Sequence, residues 1–255
     1  MSGDPVSRLA VIFLAILQIL TPVLPSLGIG EPIGAQSDSV RTLITPAGWA
    51  FAIWGPLYTG SILFAIYQAL PSQRNNALVA QLRWPAAGAF LGNALWAAYT
   101  QVAGLSFISA LIIIFTLACL LTAYRRISGW APSFTTGERW LAVLPLSALG
   151  AWLTAATIVN ITAALRFHGL ALESGGALVT AIVVLVGGII ASKALLSGRG
   201  NPPYALVFFW ALAGIYASGG QEARVVALAT LVSAVIVLIG MLLGLRRSDA
   251  ARWFG

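Results

Sequence analysis

Charge is what this sequence has least of. Only 8% of its 255 residues are Asp, Glu, Lys or Arg, where a soluble domain carries about 25%. So few cannot solvate the surface of a water-soluble fold. The single cysteine, Cys119, excludes a disulfide framework and a thiolate metal site. One histidine, His168, and seven acidic residues, all near the ends of apolar runs, are poor material for acid–base or metal chemistry. The sequence has no Ser/His/Asp set, paired carboxylates or phosphate-binding loop. Gly187–Gly188 lies inside an apolar run with no strand before it and reads as a packing feature. No catalytic and no metal-ligating residue is nominated, and no cofactor is required.

What the chain does have is apolar surface: 59% of residues are hydrophobic and the mean hydropathy is +0.92. Eight apolar runs approach the roughly 20 residues needed to cross a bilayer. They cover 8–28, 45–70, 84–103, 105–125, 139–165, 176–195, 203–218 and 224–245. The runs are continuous and lack period-two alternation, which argues against a strand barrel. The predicted fold class is all-α, a polytopic transmembrane helix bundle of about eight spanning helices.

Charge tests this count independently. Eight crossings put Arg8, Arg74, Arg83, Arg125, Arg126, Arg139, Lys193, Arg199, Arg246, Arg247 and Arg252 on one side, and Arg41, Arg166 and Arg224 on the other. That 11-to-3 split places both termini in the cytoplasm by the positive-inside rule. With no organelle address, the expected location is a bacterial inner membrane. The net charge of +7 follows from this bias; no basic face is interleaved with exposed aromatics, so no nucleic-acid partner is expected. The first run also has signal-peptide features, with one Arg and Ile33-Gly34-Ala35 after a long apolar core, but its length favours a retained helix.

Aromatic and amide side chains fall on helical faces. Phe51, Trp54 or Gly55, Tyr58 and Ile62 recur at three- and four-residue steps in the second run. In the third, Gly88, Gly92 and Trp96 are spaced by four, with Asn93 beside them. A Gly-x-x-x-Gly face lets a neighbouring helix approach closely, and Trp96 then fills the space where the helices diverge. In the fifth, Trp152, Ala156 and Asn160 repeat the four-residue step, with Pro145 two turns earlier. Asn93 and Asn160 are costly in hydrocarbon, so each must face protein, water or a ligand, and they are equally able to bond each other across helices. Trp84, Trp130, Trp140 and Trp253 lie beside Arg residues at helix ends and read as interfacial belt residues.

Residues 8–165 resemble the tryptophan-rich sensory protein or translocator protein (TspO/MBR) family. The second helix of that family reads P-x-x-W-x-F followed by W-x-x-x-Y, answered by Pro46, Trp49, Phe51, Trp54 and Tyr58, with Trp49 to Trp54 one residue closer than in shorter members. Its third carries L-N-x-x-W, matched by Asn93 and Trp96 with Gly92 replacing the leucine. A later helix carries W-x-x-x-A-T-x-x-N, matched by Trp152, Ala156, Thr157 and Asn160 in register. The resemblance implies a five-helix bundle over 1–170, and the three helices of 171–255 then form an extension that five-helix members lack. It also implies a ligand pocket lined by Trp49, Phe51, Trp54, Tyr58, Asn93, Trp96, Trp152 and Asn160, binding a porphyrin or haem-like ring or a sterol. Three features depart from the pattern. The first loop lacks the aromatic segment that caps the family pocket and offers Glu31, Pro32 and Asp38; the Pro-Tyr pair before the late Trp is missing; and the chain is longer.

The expected function is a non-enzymatic membrane protein that binds a hydrophobic planar ligand as sensor or carrier; a homodimer is compatible with it. A secondary transporter of a small solute and an assembly subunit of a larger membrane complex are the competing readings. His168, in a loop near Arg166 and Glu173, is a weak candidate for a haem-iron ligand. Leu121, Tyr124 and Arg126 fit a loose sterol-contact pattern, which an ordinary snorkelling helix end explains equally well.

Overall fold

The computed structural model describes residues 4–170, 176–246 and Trp253. Among them it is helical and without strands. Eight long helices run up and down: α1 Pro5–Leu20, α2 Trp54–Ala69, α3 Ala77–Ala103, α4 Phe107–Gly129, α5 Leu144–Phe167, α6 Gly176–Ser197, α7 Pro202–Tyr216 and α8 Arg224–Arg246. The first continues as a 3₁₀ segment, Thr21–Leu27, where Pro22 and Pro25 remove backbone donors. Among the described residues, seven helices are long and apolar enough to cross a membrane. The remaining long helix, α3, has the length but carries Gln81, Arg83, Asn93 and Gln101, of which the last three are buried.

Those polar groups explain why α3 begins at Ala77 and not at the predicted 84. Asn76 caps it, its Oδ1 accepting from Val79 N at 2.9 Å. Arg83, expected in a loop, is only 1% exposed. It closes the C-terminal end of α2, donating through Nε to Gln68 Oε1 at 3.1 Å and through Nη2 to Gln68 O at 3.4 Å. Arg8 donates to Ala69 O at the same end. Two guanidinium groups thus meet carbonyls that a helix terminus leaves unpaired. Pro85 inside α3 cannot donate to Gln81 O, and Arg126 of α4 supplies that carbonyl with a donor instead.

The connections sort to two ends of the bundle, as eight alternating crossings require. At one end lie Arg8 against the α2 terminus and Trp253, whose indole Nε1 donates to Arg199 O at 2.9 Å. The other end joins Glu31 N to Gln101 O at 2.8 Å, Phe107 N to His168 Nε2 at 3.4 Å and Arg41 Nη2 to Ser218 Oγ at 2.6 Å. Arg247 and Arg252, counted in the sequence split, and Glu173 lie outside the described residues.

Helix α5 is the central pillar, packed by α4, α7 and α2. Its entry is fixed by a capping box in which Thr135 and Glu138 exchange hydrogen bonds, and Glu138 Oε1 also accepts from Asn76 Nδ2 at 2.8 Å. Helix α7 is bolted to α5 by Asn201 Nδ2 to Ser147 Oγ at 2.8 Å and Tyr204 Oη to Thr154 Oγ1 at 3.0 Å. The α3–α4 contact uses the predicted glycine face: a Cβ on Gly92 would stand 2.1 Å from Thr116 Oγ1, and one on Gly88 2.7 Å from Cys119 Sγ.

Trp84 and Trp140 are exposed, although Trp84 lies two turns inside α3 and not at its end. Trp253 is not a belt residue: it is buried against Phe134 and bonded to Arg199 O. Trp130 is only partly exposed and its indole nitrogen is buried. Tyr124 points inward, donating to Ala194 O at 2.9 Å and packing on Tyr204, so it offers no face to a sterol in the surrounding lipid.

Candidate ligand cavity

The cavity is built around Trp152. On α5 this residue is 2% exposed, and two aromatic edges meet its ring: Phe51 at 6.1 Å and 87°, Trp54 at 6.2 Å and 84°. Such edge-to-face contacts set positive ring edges on negative ring faces. Phe51 reaches Trp152 because the chain enters α2 through a 3₁₀ segment, Gly48–Ile53. That segment is held from outside by α7: Ala47 N donates to Gly214 O at 2.9 Å, and Trp210 Nε1 donates to Ala50 O at 2.8 Å. Gly214 permits this approach, since a Cβ there would meet Ala50 Cβ at 2.7 Å.

Trp96 supplies the facing wall from α3, one turn beyond the Gly92 contact, with Ile113 of α4 beside it. Asn160 closes the α5 side, its Oδ1 2.9 Å from Ser109 Oγ of α4. Over the mouth lies a short helix, Ile33–Ser39, whose Ile33 and Ser37 line the cavity. This cap rests on the end of α3 through Glu31 N and Gln36 Nε2, both donating to Gln101 O. The cavity measures about 50 Å³, below the roughly 300–1,000 Å³ of small-molecule sites, so a flat ring would enter only if its walls part.

Five of the eight predicted site residues line this space: Phe51, Trp54, Trp96, Trp152 and Asn160. Tyr58 stands one turn away and backs Trp54, ring centroids 5.1 Å apart. Trp49 turns outward, half exposed, with its ring against Trp210 at 5.0 Å. Asn93 faces α1, donating through Nδ2 to Gln18 Oε1 at 3.0 Å. The two asparagines therefore do not pair with each other. The cap residues Ile33 and Ser37 and the wall residues Leu105 and Ala155 were missed. The only sequence signal for the cap was the i, i+4 spacing of Ile33 and Ser37 after Pro32.

The indole Nε1 atoms of Trp96 and Trp152 are buried and meet no acceptor among the described residues. An unpaired buried donor costs on the order of 1–3 kcal/mol; neither nitrogen has surface open to the hollow, so the two are buried beside it. No Arg, Lys, His, Asp or Glu among the described residues lines the cavity, and no three His, Cys, Asp or Glu side chains gather anywhere in them. His168 stacks on Phe107 at 4.4 Å, accepts from its backbone N–H and is not part of the lining.

These features define a class: an integral membrane protein, polytopic and all-α, with an aromatic-walled cavity between its helices. More specifically, the chain belongs to the family of TSPO-like proteins, whose family model matches residues 6–243 and so runs through all eight helices. No curated protein and no solved structure matches it.

Proposed function

We propose that the protein binds a hydrophobic, planar ligand in the Trp152 cavity and acts without catalysis, as a sensor or carrier for a tetrapyrrole-like or other flat ring. The observation that carries this reading is the convergence of four aromatic side chains, Phe51, Trp54, Trp96 and Trp152, from three helices and the 3₁₀ entry on one hollow. Flat π faces suit a flat guest, and among the described residues the lining holds no titratable side chain that could activate its one hydroxyl, Ser37. The charge bias of the loops orients the Arg-rich end, and with it both termini, toward the cytoplasm of a bacterial inner membrane.

The test is a titration of purified protein with flat hydrophobic rings (protoporphyrin, its dimethyl ester and a naphthoquinone), read by quenching of tryptophan fluorescence. Ala156→Phe fills the cavity while leaving every tryptophan in place, so it should abolish saturable quenching without removing the reporter. Absence of saturable quenching by all three ligands at micromolar concentration would overturn the proposal.

A further inference from the structure

We propose that the cytoplasmic end of the α3–α4 seam holds the headgroup of an anionic phospholipid, with Arg125 and Arg126 on its phosphate and Trp84 at the same depth. The proposal is independent of any ligand in the aromatic cavity.

The charge of the bundle is one-sided. Among the described residues, nine Lys and Arg at the cytoplasmic end stand against two acids there, Asp4 and Glu138. Asp4 caps α1, accepting from Val6 N at 3.0 Å, and Glu138 is buried in its capping box. At the opposite end three described arginines meet three acids, and Arg41 pairs with Asp38 at 3.6 Å. A fixed excess of positive charge at a lipid boundary draws anionic headgroups.

The α3–α4 seam is where that excess is both free and aimed. Arg8 and Arg83 are spent on the α2 carbonyls. Arg126 gives only Nη1 to the protein, donating to the Gln81 carbonyl that Pro85 leaves free. Its side chain is exposed, and Nε and Nη2 have no partner among the described residues. The backbone bond holds the guanidinium plane in place, and the remaining N–H fork matches the oxygens of a phosphate. Arg125, the next residue, is exposed and makes no hydrogen bond or ion pair among the described residues.

Depth favours a lipid phosphate over a dissolved one. Gln81 O lies within one turn of Trp84 along α3, about 5 Å of axial rise, so the guanidinium stands level with the indole. Trp84 is more than half exposed, and a lipid-facing indole sits at the headgroup level. This also accounts for Trp84 lying two turns inside its helix: the turns before it, with Gln81 and Arg83, run on past the hydrocarbon. On the other side of Trp84 the seam becomes apolar. Exposed Phe115 of α4 covers Gly88, with Cζ 3.9 Å from where a Cβ would stand. An anionic head and an acyl chain thus have adjoining places.

The experiment reconstitutes the full chain in phosphatidylcholine vesicles containing brominated phosphatidylglycerol or brominated phosphatidylcholine, and follows tryptophan quenching. The part of the quenching that disappears in Trp84→Phe isolates this seam. That part should favour the anionic lipid ~5- to 10-fold. Arg126→Gln and Arg125→Gln should each lower the preference at least ~3-fold, whereas Lys193→Gln, which removes the same charge from α6 at the same end, should leave it within ~1.5-fold. Arg125→Gln breaks no hydrogen bond among the described residues, so it decides the matter if loss of the Gln81 contact unfolds Arg126→Gln. Equal quenching by the two lipids would overturn the proposal. So would an equal loss in Lys193→Gln, which marks a diffuse field, or displacement by millimolar inorganic phosphate, which marks a plain anion site.

Discussion

Gly92 and Gly150 are both buried glycines in the interior of long helices, yet alanine should have opposite effects at the two sites. At Gly92 the new methyl would lie 2.1 Å from Thr116 Oγ1, 3.0 Å from its Cβ and 3.2 Å from its Cα. Rotating the hydroxyl away breaks its 2.8 Å bond to Ile112 O and still leaves the two carbons too close. Helices α3 and α4 must therefore part by a few tenths of an ångström, at an overpacking cost of about 1–3 kcal/mol. At Gly150 the nearest atom is Leu120 Cβ at 3.9 Å, an ordinary contact. There alanine only adds helix propensity, worth up to ~1 kcal/mol, and the same gain partly offsets the clash at Gly92. The two variants should differ by about 1–3 kcal/mol, or on the order of 3–10 °C in Tm for a chain of this size. Thermal unfolding in detergent, followed by tryptophan fluorescence, reads the difference directly. Trp96 sits one turn past Gly92, so Gly92→Ala should also weaken ligand binding, whereas Gly150→Ala should not. A Gly92→Ala protein that melts at or above Gly150→Ala would refute the close α3–α4 approach and the placement of Trp96 that depends on it.

Trp210→Phe keeps the ring packing on Trp49 but removes the donor to Ala50 O; ligand affinity should fall ~3- to 10-fold with stability reduced by about 1 kcal/mol, measured by titration and unfolding in parallel. The asparagines should separate by phenotype. Asn93→Ala strands Gln18 in the α1–α3 interface and should cost on the order of 1–3 kcal/mol of stability with binding nearly unchanged. Asn160→Ala should weaken binding more than it weakens the fold, and equal loss of binding in both variants would contradict the assignment.

Much of the architecture was legible because lipid imposes a strict rule: each crossing must satisfy its own backbone. Apolar run length and the Arg distribution therefore located the helices and their alternation. The rule misled at 77–83, where Gln81 and Arg83 read as part of a break. In the folded chain carbonyls from α2 and the guanidinium of Arg126 answer those groups, which is tertiary information that no single segment contains. The site was legible in part for a related reason. Four-residue spacing shows that Trp152, Ala156 and Asn160 share a face, and the resemblance picked out Phe51, Trp54 and Trp96. Periodicity does not say which neighbour a face will meet, so Asn93 could not be assigned to Gln18, nor Trp49 to Trp210. The cap helix was hidden because seven mostly small and polar residues carry too little hydrophobic pattern to stand out from a loop.

The strut from α7 to the 3₁₀ entry of α2 has a consequence for how this protein can be cut or grafted. The inner wall of the aromatic chamber hangs on a carbonyl and an indole that arrive more than 150 residues later in the sequence. A version trimmed back to its first five helices would keep every aromatic that lines the chamber, yet lose the external brace that aims Phe51. The C-terminal helices are thus part of the cavity's own frame, and a minimal unit that keeps the cavity must include them or replace that brace.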